Sequence, residues 1–253
     1  MKRSVTIAAA LIALTALLFS GCGGAEQSST ADTVILLVRH GQTQGNIEQL
    51  MQGGRSDSPL TEEGKQTVAK LGAALANVHI DRAYSSELGR AKTTEQLIFD
   101  ENKAGSVKMG EAMAAFNDID WGNAEDRPRS EVEAEYGPLD EDTYFGSAED
   151  PSFVTPTGGE SKYQFCERFG KGIDEILSKD IGEKGGGTIL LTAHSSAVFY
   201  LRQRFPEDSR VSGLENASLT VIRIHDGKWE LLDESDTDYS AIPDKLKKWR
   251  LIS

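Results

Sequence analysis

The stretch TVILLVRHGQTQGN, Thr33 to Asn46, decides the fold. Val34 to Val38 is an unbroken apolar run, short and rich in β-branched side chains, the composition of a strand buried on both faces of a parallel sheet. The run stops at charge. Arg39 and His40, followed by Gly41, fall where the strand ends, and open α/β sheets bind ligands outside the carboxyl ends of their strands. Desolvating a guanidinium and an imidazole there costs several kcal/mol unless an anion offsets it, so the stretch points to an anionic ligand. A second run of the same kind, Thr188 to Thr192, follows the glycine turn 185–187 and also leads to a histidine, His194. Two buried parallel strands that end alike bring their imidazoles to one edge of the sheet.

Around these strands the 253 residues, 38% hydrophobic and 26% charged, have the composition of one α/β domain with a sizeable core. The formal net charge is −13, and the first 21 residues carry Lys2 and Arg3 but no acid, so the remainder is more acidic still. Such a surface repels nucleic acid, and a site for an anion has to be a local basic pocket in acidic surroundings. Two cysteines, Cys22 and Cys166, build no disulfide framework, and Cys166 reads as a small core residue. The four histidines include no pair at metal-binding helical spacing, so neither a metal nor another cofactor is expected.

Met1 to Gly21 reads as a signal peptide, with a basic start at Lys2 and Arg3 and an apolar core from Val5 to Phe19. That core is shorter than the roughly 20 residues a spanning helix needs. Phe19-Ser20-Gly21-Cys22 resembles a bacterial lipobox, which implies lipidation of Cys22 and attachment to the extracytoplasmic face of the cell membrane. Cleaved secretion and an uncleaved anchor are the alternatives. Residues 22–32 are polar and Gly/Ser-rich, a flexible tether ahead of a domain over 33–253.

Working outward, Ser58 to about Asn77 carries a helical apolar stripe of Val68, Leu71 and Leu75. Ile80 to Tyr84 is a short strand, and Ser85-Ser86 is expected to cap a helix opening at Glu87, with Arg90 in its first turn. Helix N-termini attract anions, and a guanidinium there adds a bidentate clamp. Between Gly105 and Pro156 the periodicity fails, and the acidic stretch Glu131 to Asp150 reads either as a lid, with a helical piece in SEVEAEY, or as a solvated insertion. A helix from Tyr163 to Ser178 follows. Asn216-Ala217-Ser218 is either a glycosylation sequon or a cap on the strand Leu219 to Ile224, and Lys245 to Arg250 reads as a terminal amphipathic helix rather than a membrane contact.

Five segments in order carry a resemblance: RHGxTxxN at Arg39 to Asn46, SPLTEEG at Ser58 to Gly64, YSSELGRAKTT from Tyr84, FNDIDWG at Phe116 to Gly122, and TGGES at Thr157 to Ser161. With the strand-terminal His194 they resemble the histidine phosphatase superfamily, of phosphoglycerate mutase-like fold. The resemblance implies a three-layer α/β/α sandwich with a mostly parallel central sheet. It also implies hydrolysis of a small phosphomonoester through a phosphohistidine, with His40 as nucleophile, Arg39, Asn46, Arg90 and His194 around the phosphoryl group, and Asp118 as proton donor where the family usually has Glu. Asp120 and Glu125 are the next candidates for the acid, and Ser195 stands where the family commonly has Gly. The leading reading is an exported, lipid-anchored phosphomonoesterase. A phosphoglycerate mutase and a non-catalytic phosphate-binding protein are the alternatives.

Overall fold

The computed structural model describes residues 31–106, 109–184, 186–208 and 210–252. The expected signal segment, Cys22 and the tether up to residue 30 lie outside them. Six strands, β1 (Thr33–Arg39), β2 (Arg82–Ser85), β3 (Glu111–Ala112), β4 (Gly187–Ala193), β5 (Leu219–His225) and β6 (Lys228–Asp236), form one sheet in the order β3-β2-β4-β1-β5-β6. The first four of that order run parallel, and β5 and β6 are added antiparallel at the far edge. The sheet is mixed with a parallel heart, as expected, and β1 sits inside it.

The described residues also form eight α-helices: α1 (Gln44–Ile47), α2 (Glu62–Ala74), α3 (Gly89–Glu101), α4 (Arg129–Tyr136), α5 (Glu141–Phe145), α6 (Lys162–Lys184), α7 (Ala197–Arg204) and α8 (Ile242–Lys248). Because alternate strand residues face opposite ways, β1 feeds two cores. Val34, Leu36 and Val38 pack with Val68 and Leu71 of α2, Ile98 of α3 and Leu246 of α8. Ile35 and Leu37 face the other layer, with Phe165, Phe169 and Ile173 of α6 and Phe199 of α7. The result is the expected α/β/α sandwich.

Two boundaries differ from expectation for local reasons. The helix expected from Ser58 starts at Glu62, because Thr61 is extended and its hydroxyl accepts the Gly64 N–H. The helix expected from Glu87 starts at Gly89, and its N-terminus is not capped by Ser85 or Ser86. Asp57, remote in sequence, accepts the N–H groups of Gly89 and Arg90 instead. Ser86 instead donates to Asn117 Oδ1, and the buried Ser85 hydroxyl has no hydrogen-bond partner. Strand β6 is not foreseen at all, although Asp226-Gly227 before it has positive φ at both residues, 47° and 72°, as a tight hairpin requires.

The SPLTEEG segment has a packing role. A Cβ on Gly64 would meet the Gln42 carbonyl oxygen at 2.2 Å, and one on Gly41 would meet Val68 Cγ2 at 2.7 Å. Both glycines are needed for α2 to lie against the loop that leaves β1.

Candidate active site

Parallel register places the two histidines. Arg39 pairs with Ala193, so His40 and His194 each follow their strand by one residue, and the His40 N–H donates to the Ala193 carbonyl at 3.0 Å. The imidazole centroids stand 5.2 Å apart and both rings are buried. Helix α3 holds the loop: the Gly41 N–H donates to Thr94 Oγ1 at 3.0 Å, and that hydroxyl donates to the Arg90 carbonyl.

His40 Nδ1 lies 2.8 Å from the Gly41 carbonyl oxygen. A carbonyl can only accept, so Nδ1 carries the proton and Nε2 carries the lone pair. Burial, then the proximity of His194, Arg90 and Arg39, hold the His40 imidazole well below its ordinary 6.5, against the weaker opposing pull of the Gly41 carbonyl. Burial and the guanidinium groups of Arg90, Arg39 and Arg168 do the same to His194. Both rings are neutral at physiological pH, which leaves His40 Nε2 nucleophilic.

Arg39 donates through Nη1 to the Leu214 carbonyl, while its buried Nε has no partner. Asn46 closes a capping box with Thr43, and its Oδ1 accepts from both the Thr43 N–H and Asn216 Nδ2. Two donors into Oδ1 fix the amide orientation and leave Nδ2 as the available donor. Asn216 also donates to the His40 carbonyl, and the Ala217 N–H reaches the Arg39 and His40 carbonyls. The Asn216 side chain therefore braces the end of β1, rather than serving as the expected strand cap.

Asp118 is the focus of the remaining groups. Its Oδ2 accepts from Arg90 Nη2 at 3.1 Å and lies 3.5 Å from His194 Nδ1, and its Oδ1 accepts the Ser196 hydroxyl at 2.5 Å. Arg90 is 1% exposed and also donates to the carbonyls of Ser56 and Gly53, so it lies behind the pocket wall with much of its fork engaged. The other acid candidates are placed elsewhere. Asp120 pairs with Arg55 and accepts the Gly122 N–H, and Glu125 staples the N–H groups of Gly53, Arg55 and Trp121.

The pocket has a volume of about 430 Å³, and Arg39, His40, Asn46, Gln52, Asp118 and Ser196 are among the residues that line it. Several buried polar atoms in and behind the lining have no hydrogen-bond partner: Arg39 Nε, Arg90 Nε, Gln52 Nε2 and both nitrogens of His194, one a donor and one an acceptor in the neutral ring. Buried polar groups are ordinarily paired, so this cluster of polar atoms is suited to receive the oxygens of an anion. Arg168 and Gln52 were missed by sequence reasoning. Arg168, paired with Glu160 of the GGES segment, donates to the carbonyls of Ala114, Ala115, Asn117 and Asp118, and so holds the segment that presents Asp118. The acidic stretch supplies a wall of the pocket, with Leu139 and Phe145 lining it beside Arg129. Cys166 is a buried core residue whose thiol burial pushes up to about 12.

Residues 35–237 match the model of the histidine phosphatase superfamily, branch 1. The chain belongs to that superfamily. It is 34% identical over 152 residues to the bovine (Bos taurus) fructose-2,6-bisphosphatase TIGAR, an alignment covering 60% of this chain and 53% of that protein, so the chain spans about half that relative's length. It is 26% identical over 197 residues to adenosylcobalamin/alpha-ribazole phosphatase of Salmonella typhimurium, covering 78% and 88% of the two chains. Among solved structures, phosphoglycerate mutase from Bacillus anthracis superposes with a TM-score of 0.72 at 25% identity, covering 86% of this chain and 99% of that one. The superfamily's relatives thus include both phosphatases and a mutase.

In this member of the superfamily, His40, Asp118 and His194 offer ligand atoms that all lie within 4.8 Å of one another. Spacing along the chain could not reveal such a trio, since three segments supply it. Arg39 and Arg90 oppose a cation there as they oppose a proton on the imidazoles, so the surroundings suit an anion better than a divalent ion. Where the superfamily commonly has Gly after the second histidine, Ser195 lines the pocket, and the following Ser196 is the residue bonded to Asp118.

Proposed function

We propose that this histidine phosphatase is an exported, lipid-anchored phosphomonoesterase that works through a phosphohistidine on His40. The observation that carries the reading is the neutral His40 ring with Nδ1 tied to the Gly41 carbonyl, beside a buried carboxyl and two guanidinium groups. His40 Nε2 attacks phosphorus as the bond to the ester oxygen breaks, and Asp118 delivers the proton to the departing alcohol. Arg39 and Asn46, which line the pocket, stabilise charge on the equatorial oxygens, and Arg90 and His194, buried directly behind it, add their unpaired nitrogens to that stabilisation. Water, deprotonated by the Asp118 carboxylate, then attacks the phosphohistidine and releases phosphate. No cofactor enters, so EDTA leaves the rate unchanged.

The mutase alternative needs a phosphorylated intermediate to be held and rebound, and the export signal argues against glycolytic substrate. A non-catalytic phosphate binder would have no use for a nucleophile of fixed tautomer. Quenching turnover of a ³²P-labelled monoester should trap label on the peptide containing His40, and His40→Ala should abolish both label and turnover. Turnover above a few per cent in that variant contradicts the assignment. For the anchor, full-length protein should fractionate with membranes and Cys22→Ser should release it; equal solubility of the two forms rejects lipidation.

A further inference from the structure

The lining of the pocket is mixed. Polar side chains come from the loops after β1 and β4 and from Asp118, and beside them stands an apolar, partly aromatic surface. Trp121, Phe145 and Phe199 form a continuous aromatic surface, with ring centroids 4.7 Å apart for Trp121 and Phe145 and 5.1 Å for Phe145 and Phe199. Leu139, Val198 and Ile119 extend it. Phe145, Phe199, Val198 and Leu139 are all buried among other core residues, so their inner faces are fixed by packing. Beyond Arg39, the cation among the lining residues is Arg129, which is exposed and already donates to Glu133 Oε1 at 2.8 Å.

A leaving group that extends from His40 over this surface meets side chains with no hydrogen-bonding atoms. Sugar and polyol hydroxyls laid on it would give up water without gaining partners, and an unpaired buried hydroxyl is costly. A second phosphate would meet a single exposed arginine, whose charge is screened by solvent and shared with Glu133. An aromatic ring, by contrast, gains burial and offset contact with three existing rings. Resting on the phosphatase reading above, we propose that the apolar wall is a leaving-group subsite, and that the substrates are monophosphates of alcohols with an aromatic body rather than sugar bisphosphates or polyol phosphates. The acidic segment takes part directly, since Leu139 and Phe145 belong to it.

The test compares kcat/KM for 2-phenylethyl phosphate, sn-glycerol 3-phosphate and fructose 1,6-bisphosphate. The first two leave as primary alcohols of similar acidity, so the comparison reports the subsite rather than bond strength. Phenylethyl phosphate should be favoured roughly 10- to 100-fold over both others, the effect of burying one phenyl-sized group. Val198→Thr keeps side-chain volume and places a hydroxyl on the wall; Phe145→Leu removes one ring and keeps the surface apolar. Each should shrink the phenylethyl-to-glycerol ratio by about 3- to 10-fold, read in protein whose thermal unfolding shows it folded. A wild-type ratio within about 3-fold of unity, with all esters turned over through His40, overturns the subsite and leaves the phosphatase reading standing. Turnover of none of the three overturns that reading and the subsite with it. A higher rate on the bisphosphate than on phenylethyl phosphate also overturns the subsite, and assigns Arg129 to a second phosphate.

Discussion

Asp118 is one methylene shorter than the glutamate its position usually carries in the superfamily, and Ser196 reaches it with a hydroxyl at 2.5 Å. A general acid matters in proportion to how poor the leaving group is, because a good leaving group departs as its anion. Asp118→Asn should therefore slow an alkyl phosphate by about 10²- to 10⁴-fold and p-nitrophenyl phosphate far less, while Arg90→Ala slows both alike. Ser196→Ala, which removes one hydrogen bond to the acid, should move in the Asp118 direction by about 10-fold. Equal effects of Asp118→Asn on the two esters would mean that the proton comes from elsewhere. Arg39 and His40 were legible in the sequence because an apolar run ending in charge is a local signal. Ser196 was not, because its partner Asp118 lies 78 residues away in the chain. Gln52 and Asn216 were hidden for the same reason: polar residues in loops resemble one another until the fold decides which of them face a site.

At the scale of elements, the sequence revealed those whose cause is periodic. The apolar runs marked β1 and β4, and helical stripes marked α2 and α6. It failed where an element depends on a distant partner. The start of α3 is set by Asp57, from the loop that follows α1. The helical piece expected in SEVEAEY is present as α4, whereas α5 was not foreseen, since the burial of Leu139 and Phe145 comes from the aromatic cluster with Phe199 of α7 rather than from their own acidic surroundings. The segment bearing Asp118 has little regular structure of its own and is held by α6, through Arg168. Its guanidinium serves four carbonyls and both oxygens of Glu160, a geometry that requires a planar fork. Arg168→Lys retains charge and loses the fork. The expected outcome is a stability loss of about 1–3 kcal/mol, and a fall in kcat on alkyl phosphates that exceeds the fall on p-nitrophenyl phosphate, since it is the acid that is loosened. A variant with the stability loss and an unchanged ratio of the two rates would reduce Arg168 to a purely structural role.

Over the whole molecule, burial of ionisable groups ties stability to pH in two opposed ways. His40 and His194 have folded values well below the ordinary 6.5, so as pH falls below 6.5 the unfolded chain takes protons that the native state refuses, and stability drops. Glu95 acts in the other direction. It is 0% exposed on α3, Oε1 has no partner, Oε2 meets only the Gly110 N–H at 3.4 Å, and burial raises its carboxyl to about 7. Its folded value lies above the unfolded 4.5, so the native state holds a proton that the unfolded chain releases across that window, and stability is lost as pH rises through it. The shift corresponds to roughly 3 kcal/mol of destabilisation once pH exceeds 7. Glu95→Gln removes the titration and keeps the shape. Its amide introduces a pH-independent offset, because Oε1 had no partner to begin with, so the decisive quantity is the difference between pH values. Urea unfolding should show the variant gaining on the wild-type protein by one to three kcal/mol, on the order of the shift, between pH 4.5 and pH 8. A stability difference that is the same at both pH values would place the Glu95 proton off the protein in the native state, and would remove Glu95 from the groups that tie stability to pH.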